Sequence, residues 1–144
     1  MKVYFASDHA GFELKKVLIE RVRTLGHEVE DVGATEYNAE DDYPDFVTPC
    51  AEKVAAEEGS FGIVLGKSGQ GEAMVANRVK GIRAAVYYGG NTELITLTRE
   101  HNNANVLSLG AGFLTPDEAG AAVERFLATP FSHDDRHVRR LAKF

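Results

Sequence analysis

The chain has no tryptophan, one cysteine, two methionines and four prolines in 144 residues. A lone cysteine, Cys50, excludes an internal disulfide framework and makes a small buried hydrophobe its simplest role. Positive charge is also scarce, with 16 Lys and Arg against 22 Asp and Glu and a formal net charge of -6. That balance argues against wholesale binding to nucleic acid or to an anionic lipid surface, both of which demand a positive field. A small anion at a local basic cluster remains compatible with it. No apolar run approaches the roughly 20 residues of a membrane span, and no charged segment followed by an apolar stretch opens the chain. The expectation is a protein without leader or anchor, working in the cytoplasm.

What is present is ordinary globular material, 44% hydrophobic and 26% charged, in a length suited to one domain over residues 1–144. The segment 2–7, KVYFAS, has strand character, and the following stretch places Phe12, Leu14, Val17, Leu18, Val22 and Leu25 at helical spacing until Gly26. Strand-like HEVEDVG, a polar loop and helix-like DFVTPCAEKVAAEEG come next, with Pro49 either in a first turn or at a kink. The alternation continues through FGIVLG, EAMVANRV, IRAAVYY, TELITLTREHNN, NVLSLG and a helix opened by Thr115 and Pro116. The tail RHVRR reads as a last short helix. Five near-continuous apolar strands alternating with helices predict an α/β fold with a parallel sheet covered on both faces, whose ligands bind beyond the carboxyl ends of the strands.

The turn after FGIVLG contains Gly66, Lys67, Ser68, Gly69, Gln70 and Gly71. It fails as a nucleotide P-loop, because the required glycine five residues before Gly66 is Phe61, and it fails as G-x-G-x-x-G because Ala73 and Met74 follow Gly71 and Glu72. What it offers is a run of amides at a helix start, suited to an anion or a developing oxyanion, with Glu72 beside them. Glu72 either complements the helix dipole or acts as a base. Asp8 either caps the first helix or belongs to a site with His9. His101 and Asn102 close the fourth helix, where a histidine also suits the helix dipole. Arg136 and Arg140, four apart with His137 between them, are either a solvated face or a guanidinium pair for phosphate. Together a carboxylate base, an oxyanion cradle, an imidazole and paired arginines match proton transfer between two carbons of a phosphorylated sugar.

The motifs ASDHAG, DDYPDF, GKSGQGE, ANRVKGIRAA, REHNNANVLSLG and RHVRR resemble the ribose-5-phosphate isomerase type B and galactose-6-phosphate isomerase family, over nearly the whole chain. The resemblance implies a Rossmann-like three-layer α/β/α sandwich, a homodimer or tetramer with active sites between subunits, and no metal or organic cofactor. It implies aldose-ketose isomerisation through a cis-enediolate, with ribose 5-phosphate as the leading substrate and allose, galactose or tetrose phosphates behind it. A non-catalytic subunit of a two-chain isomerase is the competing class. Many members carry a catalytic cysteine where this chain has Gly66; the branch with glutamate directly after the glycine turn is the one this chain is similar to, so the resemblance makes Glu72 the base. It also implies ring opening by His101 and an enediolate cradle from Ser68 to Gly71. Phosphate would go to Arg136, Arg140 and His137 with His9, and sugar hydroxyls to Asp8, Tyr43 and Asn102. Lys67 departs from the small residue usual there, which makes it a substrate-contact candidate of undetermined role.

Overall fold

The computed structural model describes residues 1–144 as five strands and six helices in strict alternation until the last helix. In chain order they are β1 (Lys2–Ser7), α1 (Phe12–Thr24), β2 (Glu28–Gly33), α2 (Pro44–Ala56), β3 (Phe61–Gly66), α3 (Gln70–Ala76), β4 (Ala84–Tyr87), α4 (Glu93–Glu100), β5 (Val106–Gly110), α5 (Pro116–Ala128) and α6 (Asp135–Leu141). All pairings are parallel, in the spatial order β2-β1-β3-β5-β4. The chain therefore reverses its direction of travel across the sheet between β1 and β3, the place where loops diverge and leave a crevice at the carboxyl ends.

The period-two alternation of each strand divides the core in two. Val3, Phe5, Ile63, Leu65, Leu107 and Leu109 face Leu18, Ile19 and Val22 of α1, Ile95 of α4 and Val123 and Phe126 of α5. Tyr4, Ala6, Val64 and Val106 face Val47, Cys50, Ala51 and Val54 of α2 and Ala76 of α3. This is the three-layer α/β/α sandwich expected from the sequence. Cys50 is fully buried in the second layer, and burial pushes its thiol up to about 12, as suits an inert packing residue.

The boundaries on either side of the turn from α3 to β4 differ from the sequence reading. The third helix stops at Ala76 because the Asn77 side chain leaves the helix and makes both bonds to the Ala84 backbone, donating to its carbonyl at 2.9 Å and accepting from its N–H at 2.7 Å. The fourth strand starts at Ala84 rather than Ile82, since the Ile82 N–H is spent on Val79 and that of Arg83 on the Asn105 side chain. Pro49 lies inside α2, beyond its first turn. The fifth helix opens as read, with a reciprocal capping box between Thr115 and Glu118. No helix is long and apolar enough to cross a membrane.

Candidate active site

The candidate residues fall into two groups at opposite edges of the sheet. Asp8, His9, Tyr43, Lys67 to Gly71 and Glu72 occupy the loops and helix start that follow the carboxyl ends of β1, β2 and β3. His101 and Asn102 follow α4, which returns the chain to the amino end of β5, and α6 brings His137 against His101, the two rings stacked at 4.1 Å. The five residues of β5 separate these edges by about 16 Å at the usual rise per residue. The first group lies at the strand-to-helix turns, whereas His101, Asn102, Arg136, His137 and Arg140 lie where the sequence reading put them, at the end of the fourth helix and in the tail, at the other end of the strands.

In the first group, β3 ends at Gly66 and the chain turns through Gly69, which has φ 77° and serves as N-cap of α3. Glycine tolerates that left-handed conformation without strain. Ser108 of β5, fully buried, donates its hydroxyl to the Gly69 carbonyl at 2.6 Å and pins the turn to the neighbouring strand. The Ser68 hydroxyl accepts from the Gln70 N–H at 3.3 Å, whereas the N–H groups of Ser68, Gly69 and Gly71 meet no protein acceptor. Such amides at a helix start favour negative charge.

Glu72, in the first turn of α3, folds back so that its carboxylate lies directly over the Cα of Gly66; a Cβ there would overlap both oxygens and the carboxyl carbon. The absence of a side chain at Gly66 is therefore what makes room for the carboxylate. Glu72 is 4% exposed. Burial is the main cause that raises its pKa above the ordinary carboxylate range, and the nearby charge of Asp8 raises it further, against an opposing backbone hydrogen bond. A poorly solvated carboxylate beside vacant amide donors is a competent proton acceptor with an oxyanion site next to it.

Asp8 is not the cap of α1, which starts at Phe12 behind Gly11; its carboxylate instead accepts from the Ala10 N–H at 2.9 Å within the loop. His9 Nδ1 lies 2.7 Å from Asp41 Oδ1, and the same oxygen accepts from the His9 N–H at 3.0 Å. That hydrogen bond is the largest cause raising the His9 pKa, with Asp8 contributing its charge, so the imidazole is biased toward its cationic form. Asp8, His9 and Asp41 each bring one ligand atom within 4.8 Å of the others, yet a cation there would displace the existing bond between His9 and Asp41. The Tyr43 hydroxyl packs over Gly71, where a Cβ would overlap it, and so closes one side of the same turn.

In the second group, His137 is buried, its Nε2 lacks a hydrogen-bond partner, and burial foremost, then His101 and Arg136, lowers its pKa. Arg136 and Arg140 are exposed on α6, Arg136 lying 4.0 Å from Asp134. A cleft of about 850 Å³ adjoins Asn102, Leu141 and Phe144 and is lined by no Asp or Glu side chain, so volume alone would misplace the chemistry. Arg99 fixes this edge: buried in α4, it donates to the Thr129 carbonyl at 3.0 Å, the Asn103 side chain at 3.0 Å and the Ala104 carbonyl at 2.5 Å. Sequence reasoning missed Arg99, Asp41 and Ser108, which reach Thr129, His9 and Gly69 across 30, 32 and 39 positions. Asp41 had one signal, its place in an acidic run immediately before Tyr43.

A model of the family described as Ribose/Galactose Isomerase matches residues 3–144. The chain is 47% identical over 141 residues to ribose-5-phosphate isomerase B of Mycobacterium tuberculosis, covering 98% of this chain and 86% of that one. Its structure superposes with a TM-score of 0.93 on ribose-5-phosphate isomerase B of Mycoplasma genitalium, solved with bound ribulose 5-phosphate, at 39% identity over 99% of this chain and 92% of that one. The enzyme of Clostridium thermocellum is similar at 40% identity and TM-score 0.92, over 99% and 94% of the two chains.

Proposed function

The chain belongs to the ribose/galactose isomerase family, and from that premise we propose that it interconverts ribose 5-phosphate and ribulose 5-phosphate with Glu72 as the base. The observation that carries the assignment is the buried carboxylate of Glu72, seated over Gly66 beside amides without acceptors. In the open-chain aldose this carboxylate removes the C2 proton. The resulting negative charge on oxygen is held by the Ser68 to Gly71 amides, and the same carboxylate returns the proton to C1 while the hydroxyl proton passes from O2 to O1. Asp8 and Tyr43 contact sugar hydroxyls from the loops on either side. No step calls for a metal or organic cofactor.

The remaining groups come from a second copy of the chain. His101, which assists ring opening, lies at the far edge of its own sheet with Asn102, which contacts hydroxyls, and with Arg136, His137 and Arg140, which hold phosphate. A two-fold homodimer that sets the second edge of one copy on the first edge of the other completes two equivalent sites at once. His9 adds a cationic imidazole on the base side. Each copy contributes residues 1–144 as a single catalytic domain, acting in the cytoplasm.

The test is turnover by the purified chain, with no partner and no added metal, offered ribose 5-phosphate, allose 6-phosphate and galactose 6-phosphate separately. Formation of ribulose 5-phosphate with the highest kcat/KM of the three supports the reading. Preference for a six-carbon phosphate overturns the substrate, and inactivity on all three overturns the function.

A further inference from the structure

We propose that Lys67 is a substrate-binding cation, its ammonium meeting the phosphate dianion of the sugar phosphate from the same chain that carries Glu72. The inference rests on the sugar-phosphate reading above and adds a residue to it.

The five loops that leave the carboxyl ends of the strands span residues 8–11, 34–43, 67–69, 88–92 and 111–115. They contain Asp8, Glu36, Glu40, Asp41 and Asp42, and Glu72 follows in α3, while Lys67 is their sole lysine or arginine. A dianionic ligand approaching this edge meets a carboxylate-rich surface, which disfavours it unless a cation stands close. The arginines of α6 lie at the opposite edge of the same chain, so within the base-bearing subunit Lys67 supplies the only permanently charged ammonium or guanidinium on these loops.

Its placement is specific. Lys67 lies between Gly66, which carries the Glu72 carboxylate above it, and Ser68, the first residue of the amide turn. The Lys67 carbonyl accepts from the Gly112 N–H at 2.9 Å, joining the turn to the loop after β5. Its stem runs along Gly112, with Cγ 3.0 Å and Cε 3.8 Å from where a Cβ on that glycine would stand. Gly112 does not have a positive φ, so its lack of a side chain serves space rather than backbone conformation. The Lys67 side chain is exposed and enters no ion pair or hydrogen bond with the protein, unlike the buried Lys15, which is bonded to Asp31 and Ala34. An unpaired ammonium with its stem held against a matching gap is free to engage an anion.

The experiment measures kcat and KM for ribose 5-phosphate, together with inorganic phosphate affinity by calorimetry, in the wild type, Lys67→Ala, Lys67→Arg and Gly112→Val. Loss of a charge-assisted contact to phosphate should raise KM and weaken phosphate binding about tenfold or more in Lys67→Ala. Because phosphate is bound alike in ground and transition states, kcat should stay within about twofold. Lys67→Arg should recover most of the affinity. Gly112→Val, which leaves the charge but crowds both the stem and the Lys67 carbonyl, should weaken binding in the same direction. Unchanged KM and phosphate affinity in Lys67→Ala overturn the proposal, as does a fall in kcat at constant KM, which would place the ammonium at the reacting oxygens. If the wild type turns over no ribose 5-phosphate, the assigned substrate fails, and phosphate affinity still decides on Lys67 by itself.

Discussion

Gly66→Ala is a one-methyl perturbation aimed at the base without touching its chemistry. The new Cβ would overlap Glu72 Oε1 and Cδ, and even the farther oxygen, Oε2, would stand only 2.6 Å away against ordinary contacts of 3.4 Å and above. The nearer oxygen must therefore retreat by more than about 1 Å from its position over the turn, and a misplacement of that size at a reacting group costs about 100-fold in rate. Folding should survive, because Gly66 does not have a positive φ and the obstructing atoms are the end of a flexible side chain. The assay is steady-state formation of ribulose 5-phosphate with circular dichroism and a thermal melt alongside. The expected result is kcat lowered about 100-fold, close to the loss in Glu72→Gln, at an unaltered melting cooperativity. A correctly folded Gly66→Ala enzyme within about threefold of wild type would refute the reasoning, since a base displaced by that distance cannot retain its rate.

Other expectations follow from the same geometry. The acid limb of kcat/KM reports the free-enzyme base, which must be ionised to act; burial raises the Glu72 pKa, so the limb should fall at higher pH than for an ordinary carboxylate. Asp8→Asn removes a like charge and should move that limb to lower pH, and an upward move would contradict the assignment. Co-expression of Glu72→Gln and His101→Ala chains, each inactive alone, should give about a quarter of wild-type activity, because half of the dimers are mixed and each has one intact site. Activity no greater than that of either parent would mean that the two edges do not meet between subunits. Lys15→Met should destabilise the fold by about 1–3 kcal/mol in urea denaturation, chiefly because it leaves the buried Ala34 carbonyl without its donor at 2.7 Å while the exposed Asp31 carboxylate is solvated; an unchanged stability would refute that anchor's importance.

The architecture was readable in the sequence wherever local chemistry and tertiary packing agreed. The Thr115 to Glu118 capping box and the apolar strands are such cases, each signal lying within a few residues of its consequence. The boundaries at Ala76 and Ala84 were not readable, because Asn77 bonds across the intervening turn to Ala84 and no propensity encodes that choice. In the site, Glu72 and the turn were legible as a carboxylate beside amides at a helix start. The seat of its carboxylate over Gly66 was not, since spacing alone does not show a side chain folding back on its own strand. That α4 carries His101 to the end of the sheet opposite Glu72 follows from the alternation itself, since each helix between parallel strands returns the chain to the amino end of the next strand; what spacing does not show is that α6 stacks His137 on His101. Asp41 contacts His9 across 32 positions and Ser108 contacts Gly69 across 39, distances at which residue type gives no hint of a partner.

The central claim is that one carboxylate, Glu72, carries a proton from C2 to C1 of a sugar phosphate. Proton NMR of ribose 5-phosphate in D₂O, with wild type beside Glu72→Gln, follows that proton directly. The wild type should deplete the C2 signal and form ribulose 5-phosphate, while Glu72→Gln should do neither at more than about one hundredth of the rate, the scale of a lost general base. Exchange and conversion by a folded Glu72→Gln enzyme within about tenfold of wild type would show that another group moves the proton.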